Sequence, residues 1–168
     1  GVGKRLHRFI EPIFRAREYH KMRLIRAACL LHDVTWRAHP DYRAEVCFDN
    51  ATRANLGGLA HKERIFLGLA LLHRYKNSRE GTSFTPLIDM LSEIQNAEVL
   101  GKAMRFGAMI AVDAPDEIAK LSFFPKKKEL ILTLRPEAID LFGEVSEARF
   151  MSLASSLGAE TQIKHAKN

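Results

Sequence analysis

The spacing of apolar residues changes once along this 168-residue chain, near Asp113-Ala114-Pro115-Asp116, and this change is the strongest constraint on its fold. Before it, apolar residues recur every three or four positions, the period of an amphipathic α-helix. After it, two short runs at 118–124 and 128–134 are typical of β-strands. We therefore predict a mainly α fold, with a helical domain at 1–112 followed by a small α+β subdomain at 116–168.

The first part of the chain is expected to be helical almost throughout. The apolar period and the expected stop signals predict helices at 4–18, 21–36, 41–57, 61–75 and 86–112. Pro12 lies inside the first of these, so we expect either a kink or two short helices there. A break near Gly101 or Gly107 is the alternative to one continuous helix at 86–112.

The second part is expected to carry a short antiparallel sheet. The two strand-like runs predict a β-hairpin whose turn carries the lysines at 126–128, a residue type that protects edge strands. A helix from Pro136 to Gly143 and another that ends at Gly158 should follow. The segment 161–163 is the candidate for a last edge strand.

The formal net charge of +6 is concentrated in the first half. Residues 1–80 carry 16 Lys/Arg and 8 Asp/Glu, a balance of +8, whereas residues 81–168 carry 10 and 12, a balance of −2. This asymmetry indicates a face that meets a polyanion, although a solvated basic surface gives the same counts. Two cysteines, Cys29 and Cys47, lack disulfide or metal spacing and indicate a reduced, cytoplasmic protein. Apolar runs are too short for a membrane span, so no membrane partner is expected.

The string Ala27-Ala28-Cys29-Leu30-Leu31-His32-Asp33 resembles the signature of the HD superfamily of metal-dependent phosphohydrolases. An imidazole and a carboxylate at neighbouring positions, His32 and Asp33, suit a divalent cation that activates water. The superfamily adds an earlier His and a later Asp, but the segment 104–109, where the last Asp aligns, has none. His73 is more simply a hydrogen-bonded core histidine than a ligand. We therefore predict no metal.

The residues around this pair give a closer match. The runs Leu31 to Arg43, which contains Trp-Arg-Ala-His-Pro-Asp-Tyr-Arg, and Leu69 to Tyr75 resemble the C-terminal region of the exopolyphosphatase/guanosine pentaphosphate phosphohydrolase family. The resemblance extends from about Lys21 to His165. It implies a degenerate HD-like helical domain followed by a small α+β end.

The same resemblance implies a division of labour within a longer enzyme. In this family, an N-terminal pair of actin-like domains hydrolyses phosphate, with Mg expected as its cofactor, and the present sequence shows no such module. We therefore expect a hydrolase fragment that continues upstream and is not catalytic alone. Its implied partners are polyphosphate or guanosine penta- or tetraphosphate, the N-terminal catalytic domains of the same enzyme, and a second copy in a homodimer.

Cationic residues near the HD-like helix are the candidates for phosphate binding. The planar guanidinium of arginine donates paired hydrogen bonds to phosphate oxygens, and many such contacts give affinity for a linear polyanion. The candidates are Arg37, His39, Arg43, Arg53, Arg74 and Lys76. Each of them is equally well explained as a solvated surface charge.

Three other functions remain open on the sequence. The first is an autonomous HD-type metal-dependent phosphohydrolase that acts on nucleotides. The second is a basic nucleic-acid-binding module, which the absence of an aromatic stacking stripe or a zinc knuckle makes less attractive. The third is a purely structural dimerisation domain.

Overall fold

A computed structural model describes residues 2–36, 61–75, 91–110 and 115–167 of the chain. In these ranges, four long helices come first, and a small sheet with short helices follows. The helices are α1 (Val2–Ala16), α2 (Met22–Trp36), α3 (His61–Tyr75) and α4 (Leu91–Ile110). The later elements are α5 (Pro115–Ile118), β1 (Ala119–Phe124), β2 (Glu129–Leu134), a 3-10 helix (Pro136–Leu141), α6 (Glu144–Ser156) and β3 (Glu160–His165).

This architecture confirms the predicted mainly α fold with a small sheet near its C-terminal end. The bounds predicted for α2 and α3 agree with the observed ones to within a residue. The helix predicted at 41–57 lies outside the described residues. The division into two domains stays a prediction.

Helix α1 runs through Pro12 as a single helix, so the alternative of two short helices is wrong. A proline inside a helix removes one backbone hydrogen bond, and another interaction must offset that loss. The offset comes from packing, because the apolar stripe of α1 is at most 2% exposed. The stripe consists of Leu6, Phe9, Ile10, Ile13 and Phe14.

Helices α2 and α3 use their apolar faces as the periodicity predicts. On α2, Leu24, Ile25, Ala28, Cys29 and His32 are all buried. Helix α3 is buried on more than one face, since every residue from 65 to 73 is inaccessible. It packs against both α2 and α4, which explains why its hydrophobic residues are not confined to one stripe.

Helix α4 is continuous from Leu91 to Ile110, so no break occurs at Gly101 or Gly107. Both glycines instead mark close contacts with neighbouring helices. A Cβ at Gly101 would overlap the carbonyl oxygen of Ala70 on α3, and one at Gly107 would overlap the side chain of Leu6 on α1. At Gly101 the contact is with backbone, so glycine is required there for packing rather than for helix termination.

The three-stranded sheet has the order β1-β2-β3 and is mixed. The predicted hairpin is confirmed, because β1 pairs antiparallel with β2 from Ala119↔Leu134 to Phe124↔Glu129. The last strand pairs parallel to β2, from Glu129↔Glu160 to Leu134↔His165, so the prediction of an antiparallel sheet needs correction here. The physical reason is the connection, since α6 lies between β2 and β3 and a helical crossover joins parallel strands.

The sheet and the long helices share one hydrophobic core. Helix α6 packs on α4, where the rings of Phe106 and Phe150 lie 5.3 Å apart. Strand β1 packs against α1, with Leu121 fully buried. The C-terminal end of α1 and the hairpin turn are thereby placed at the edge of the same cavity.

A membrane-spanning helix would have to be long and strongly apolar, and none of the helices described above meets both conditions.

Candidate functional site

The HD-like pair lies near the C-terminal end of α2, where His32 is buried against α3. The Nε–H of Arg74, in the last turn of α3, donates a hydrogen bond of 2.9 Å to Nε2 of His32. An imidazole nitrogen that accepts a hydrogen bond carries no proton, so this contact requires neutral His32 with its proton on Nδ1. The site thus contains a buried neutral histidine held by a guanidinium.

The end of α3 is held in place by its contact with α4. A Cβ at Gly101 would meet Cβ of His73 and would lie 2.9 Å from the backbone nitrogen of Arg74. His73 is 1% exposed and therefore lies in the core, while its hydrogen bond stays a prediction. Because the two helices approach so closely here, the position of Arg74 depends on a glycine at position 101.

The position expected for a second carboxylate ligand has a packing role instead. Gly107 lies against α1, where a Cβ would be 3.1 Å from Cδ2 of Phe9 and closer still to Leu6. Its neighbours Phe106 and Ile110 are buried. A carboxylate at this point would have to be placed inside the hydrophobic core, at a high desolvation cost.

The expectation that no metal binds here stays a prediction, and the His32–Arg74 contact supports it. The lone pair of His32 Nε2 is directed at the Arg74 N–H and would have to exchange that donor for a cation. Within the described ranges, no group of three or more His, Cys, Asp or Glu residues has a metal-binding arrangement. The side chain of Asp33 is outside the described part.

Of the six predicted phosphate-binding residues, the structure describes one. Arg74 is partly buried beside His32. The other five lie outside the described residues, and they are Arg37, His39, Arg43, Arg53 and Lys76. Their grouping around the HD-like helix therefore stays a prediction.

A buried ion pair joins the N-terminal ends of α2 and α3, away from the His32–Arg74 contact. Glu63, in the first turn of α3, is 6% exposed and accepts a 2.6 Å hydrogen bond from Nη2 of Arg23 on α2. Lys21 Nζ lies 3.8 Å from the same carboxylate oxygen. A carboxylate this deeply buried is stable only when paired, so this contact orients one helix against the other.

A second cluster of cations lies at the sheet, in a cavity that we call the hairpin groove. Its volume is about 840 Å³, and it lies between the C-terminal end of α1, the turn that joins β1 to β2, and the end of α6. The charged residues that line it are Arg17, Glu18, Lys126, Lys127 and Lys128. Its apolar lining includes Phe124, Pro125 and Leu157.

The charges of the hairpin groove differ in how firmly they are placed. Arg17 is partly buried, and its Nη2–H donates a 2.9 Å hydrogen bond to Oδ1 of Asn96 on α4. Burial lowers the pKa of its guanidinium, but from a value so high that the charge persists at neutral pH. The lysines at 126–128 are exposed, and the ammonium of Lys127 lies 5.9 Å from the ring centroid of Phe124.

The sequence analysis explained these lysines as a turn decoration and did not connect them with Arg17. They are separated from Arg17 by more than a hundred residues and come together because β1 packs along α1. One signal was present in the sequence. Two phenylalanines, a proline and three consecutive lysines stand at 123–128, and three lysines carry more positive charge than a turn requires.

Comparison with known protein families identifies the family of this chain. The family model described as exopolyphosphatase, C-terminal, matches residues 12–163. This match includes α2, α3, α4, β1, β2 and the first part of β3, and it contains both the His32–Arg74 contact and the hairpin groove. A search of curated proteins found no match.

Proposed function

The chain belongs to the family of exopolyphosphatase C-terminal domains, and from this membership we propose that it binds polyphosphate for an enzyme whose hydrolytic centre lies in separate N-terminal domains. The match over residues 12–163 is the observation that carries the proposal. A C-terminal domain of an exopolyphosphatase needs a role compatible with a chain of phosphates as substrate. Binding that chain is the simplest such role.

The charge distribution supports this role. The balance of +8 in residues 1–80 supplies many cations over one half of the chain. Each phosphate that a Lys or Arg neutralises releases a bound counterion, so affinity for a polyanion increases with the number of such contacts. Arg74, Arg37, His39, Arg43, Arg53 and Lys76 are the proposed contacts.

The buried contact between Arg74 and His32 supports a binding role over an autonomous HD-type hydrolase. Where an HD enzyme has an imidazole available to a cation, this chain has a guanidinium directed at the imidazole. We therefore expect the domain to act without a metal of its own. The Mg expected for the complete enzyme belongs with its N-terminal domains, where it would neutralise phosphate charge and polarise water.

Assembly is the second part of the proposal. We expect a homodimer in the cytoplasm, in which this domain contacts the N-terminal catalytic domains of the same enzyme. Guanosine penta- or tetraphosphate is the alternative ligand, since it presents the same chemistry of consecutive phosphates.

The proposal is tested by the salt dependence of polyphosphate binding. Fluorescence anisotropy with end-labelled polyphosphate, measured across a series of salt concentrations, should give a logarithmic affinity that falls linearly with the logarithm of salt. Arg74→Gln should weaken binding and reduce the slope by about one. Lys164→Gln, a change of an exposed lysine on β3, serves as the control. No binding at low salt, or binding insensitive to salt, would refute the proposal.

A further inference from the structure

The hairpin groove combines two kinds of lining that a bare phosphate chain does not need together. Four cationic side chains and one carboxylate line it, a formal balance of +3. The same cavity has an apolar part that includes Phe124, which is 44% exposed, and Leu157. An exposed aromatic ring beside cations is a combination that sites use to stack a base and hold its phosphates.

The volume of the groove fits a small organic ligand. About 840 Å³ is within the range of pockets that hold drug-sized molecules and cofactors, roughly 300–1,000 Å³. An inorganic ion would fill only a small part of that space. The ligand that matches the groove therefore has both a flat apolar part and a strongly anionic part.

We propose that the hairpin groove binds a nucleotide, with its base against Phe124 and its phosphates between Arg17 and the lysines at 126–128. Lys127 already lies over the ring of Phe124, so a cation and the stacking surface are adjacent. Arg17 is oriented by its bond to Asn96, and a guanidinium has further N–H donors for phosphate oxygens.

The carboxylate of Glu18 gives the groove an acceptor for hydrogen-bond donors. It would repel a bare phosphate chain, but it can accept a hydrogen bond from a base amino group or a ribose hydroxyl. Glu18 has a positive φ of 57°, a backbone conformation that disfavours side chains other than glycine. Lys128, on the opposite wall, has a φ of 51°. Both walls of the groove thus retain charged side chains where glycine would be less strained.

This site is independent of the proposed polyphosphate contacts around α2. It uses residues of α1, the hairpin and α6, and none of the six candidates named for polyphosphate. If the chain binds polyphosphate but no nucleotide, the proposed nucleotide site is refuted and the proposed function is not. If the chain binds a nucleotide but no polyphosphate, the proposed function is refuted and the nucleotide site is not.

Isothermal titration of the 168-residue chain with ATP, inorganic tripolyphosphate and adenosine tests the proposal. ATP should bind about tenfold more tightly than tripolyphosphate, which is the gain expected from stacking one base on an aromatic ring. Phe124→Ala should remove this difference and leave tripolyphosphate binding unchanged. Phe124→Tyr, which keeps the ring, should restore it.

The charged wall has its own variant and control. Lys127→Ala should weaken ATP and tripolyphosphate to a similar extent, whereas Lys164→Ala, on an exposed part of β3 outside the groove, should change neither. Circular dichroism of each variant checks that the fold is kept. Equal affinities of the unaltered chain for ATP and tripolyphosphate, a preference for ATP over tripolyphosphate that survives Phe124→Ala, or no ATP binding at all would overturn the proposal.

Discussion

The Nε–H of Arg74 on α3 donates a 2.9 Å hydrogen bond to Nε2 of His32 on α2. These residues are 42 positions apart, and each belongs to a motif that resembles a family of phosphate-processing enzymes. Their contact replaces the metal contact that the HD signature predicts with a neutral histidine and a cationic side chain.

A double-mutant cycle measures this contact. Arg74→Ala and His32→Ala should each lower the free energy of unfolding, because each removes the hydrogen bond between buried His32 and half-buried Arg74. The double variant should lose less than the sum of the two, by about 0.5–1.5 kcal/mol. Chemical denaturation of the four proteins gives these values. Strictly additive effects would mean that the bond contributes nothing in solution.

The close approach of α3 and α4 at Gly101 gives a second prediction. In Gly101→Ala the new methyl group overlaps backbone atoms of Ala70 and the Cβ of His73, which have little room to move. We expect a loss of about 1–3 kcal/mol in unfolding free energy, the usual cost of overpacking, in spite of the better helix propensity of alanine. The matched control is Gly143→Ala, because no atom lies within 4 Å of a Cβ at that position. If the two variants were equally stable, the close packing at Gly101 would be disproved.

The buried carboxylate of Glu63 predicts an asymmetry between its partners. Removing Arg23 takes away the 2.6 Å hydrogen bond to a buried carboxylate, so Arg23→Ala should cost about 2–3 kcal/mol. Lys21→Ala, which breaks a contact of 3.8 Å from an exposed side chain, should cost under about 1 kcal/mol. Thermal and denaturant unfolding compare the two.

Neutralising the acid supplies the control for this ion pair. Glu63→Gln in the Arg23→Ala background should recover part of the loss, since an amide is less costly to bury than an unpaired carboxylate. A further decrease in stability in the double variant would contradict the role of Glu63 as a buried charge that needs its arginine.

The sequence predicts the buried helix faces, which follow from a regular spacing of apolar residues. It does not predict the contacts that depend on how two helices or strands pack against each other. The buried stripe of α2, from Leu24 to His32, follows from a period of three to four residues and is confirmed. The hydrogen bond from Arg74 to His32 depends on how α2 and α3 are rotated about their axes. The contact of Gly101 with α3 fixes the position of α3, and no local sequence pattern predicts that contact.

The sheet shows the same division between local and long-range information. The hairpin at Lys126–Lys128 follows from neighbouring residues, and it was predicted correctly. The direction of β3 was not predicted correctly, although the helix before it implies a crossover to a parallel strand. Arg17 joins the hairpin groove only through the packing of β1 on α1, which explains why it was missed.

His7 predicts how stability depends on pH between about 5 and 7. Burial lowers the pKa of His7, which the carboxylate of Glu11 opposes and the cations Arg26 and Arg15 favour. The unfolded chain, with a pKa of about 6.5 for this group, then binds more protons than the folded one, and stability decreases as pH falls below that value. His7→Gln should flatten this decrease in pH-dependent denaturation. A slope unchanged by the substitution would assign the effect to another group.

Glu11 acts at lower pH and does not interfere with that measurement. Its hydrogen bond from Arg15 lowers the pKa of its carboxyl, so the stability it contributes is present at neutral pH and is lost only as pH falls below the ordinary range of a glutamate. The two groups therefore lower stability in successive pH windows.

A substitution of Lys128 in the hairpin turn should change the stability of the protein and its affinity for ATP in opposite directions. Its φ of 51° lies in the left-handed region, which costs a residue with a Cβ roughly 1–2 kcal/mol and costs glycine almost nothing. After the greater chain entropy of unfolded glycine is subtracted, Lys128→Gly should raise the free energy of unfolding by about 0.5–1 kcal/mol. The same substitution removes a cation from the hairpin groove, so it should weaken ATP binding while it raises the melting temperature. Residues that serve only a turn would show the gain in stability without the loss in affinity, and titration of this one variant beside its melting curve distinguishes the two.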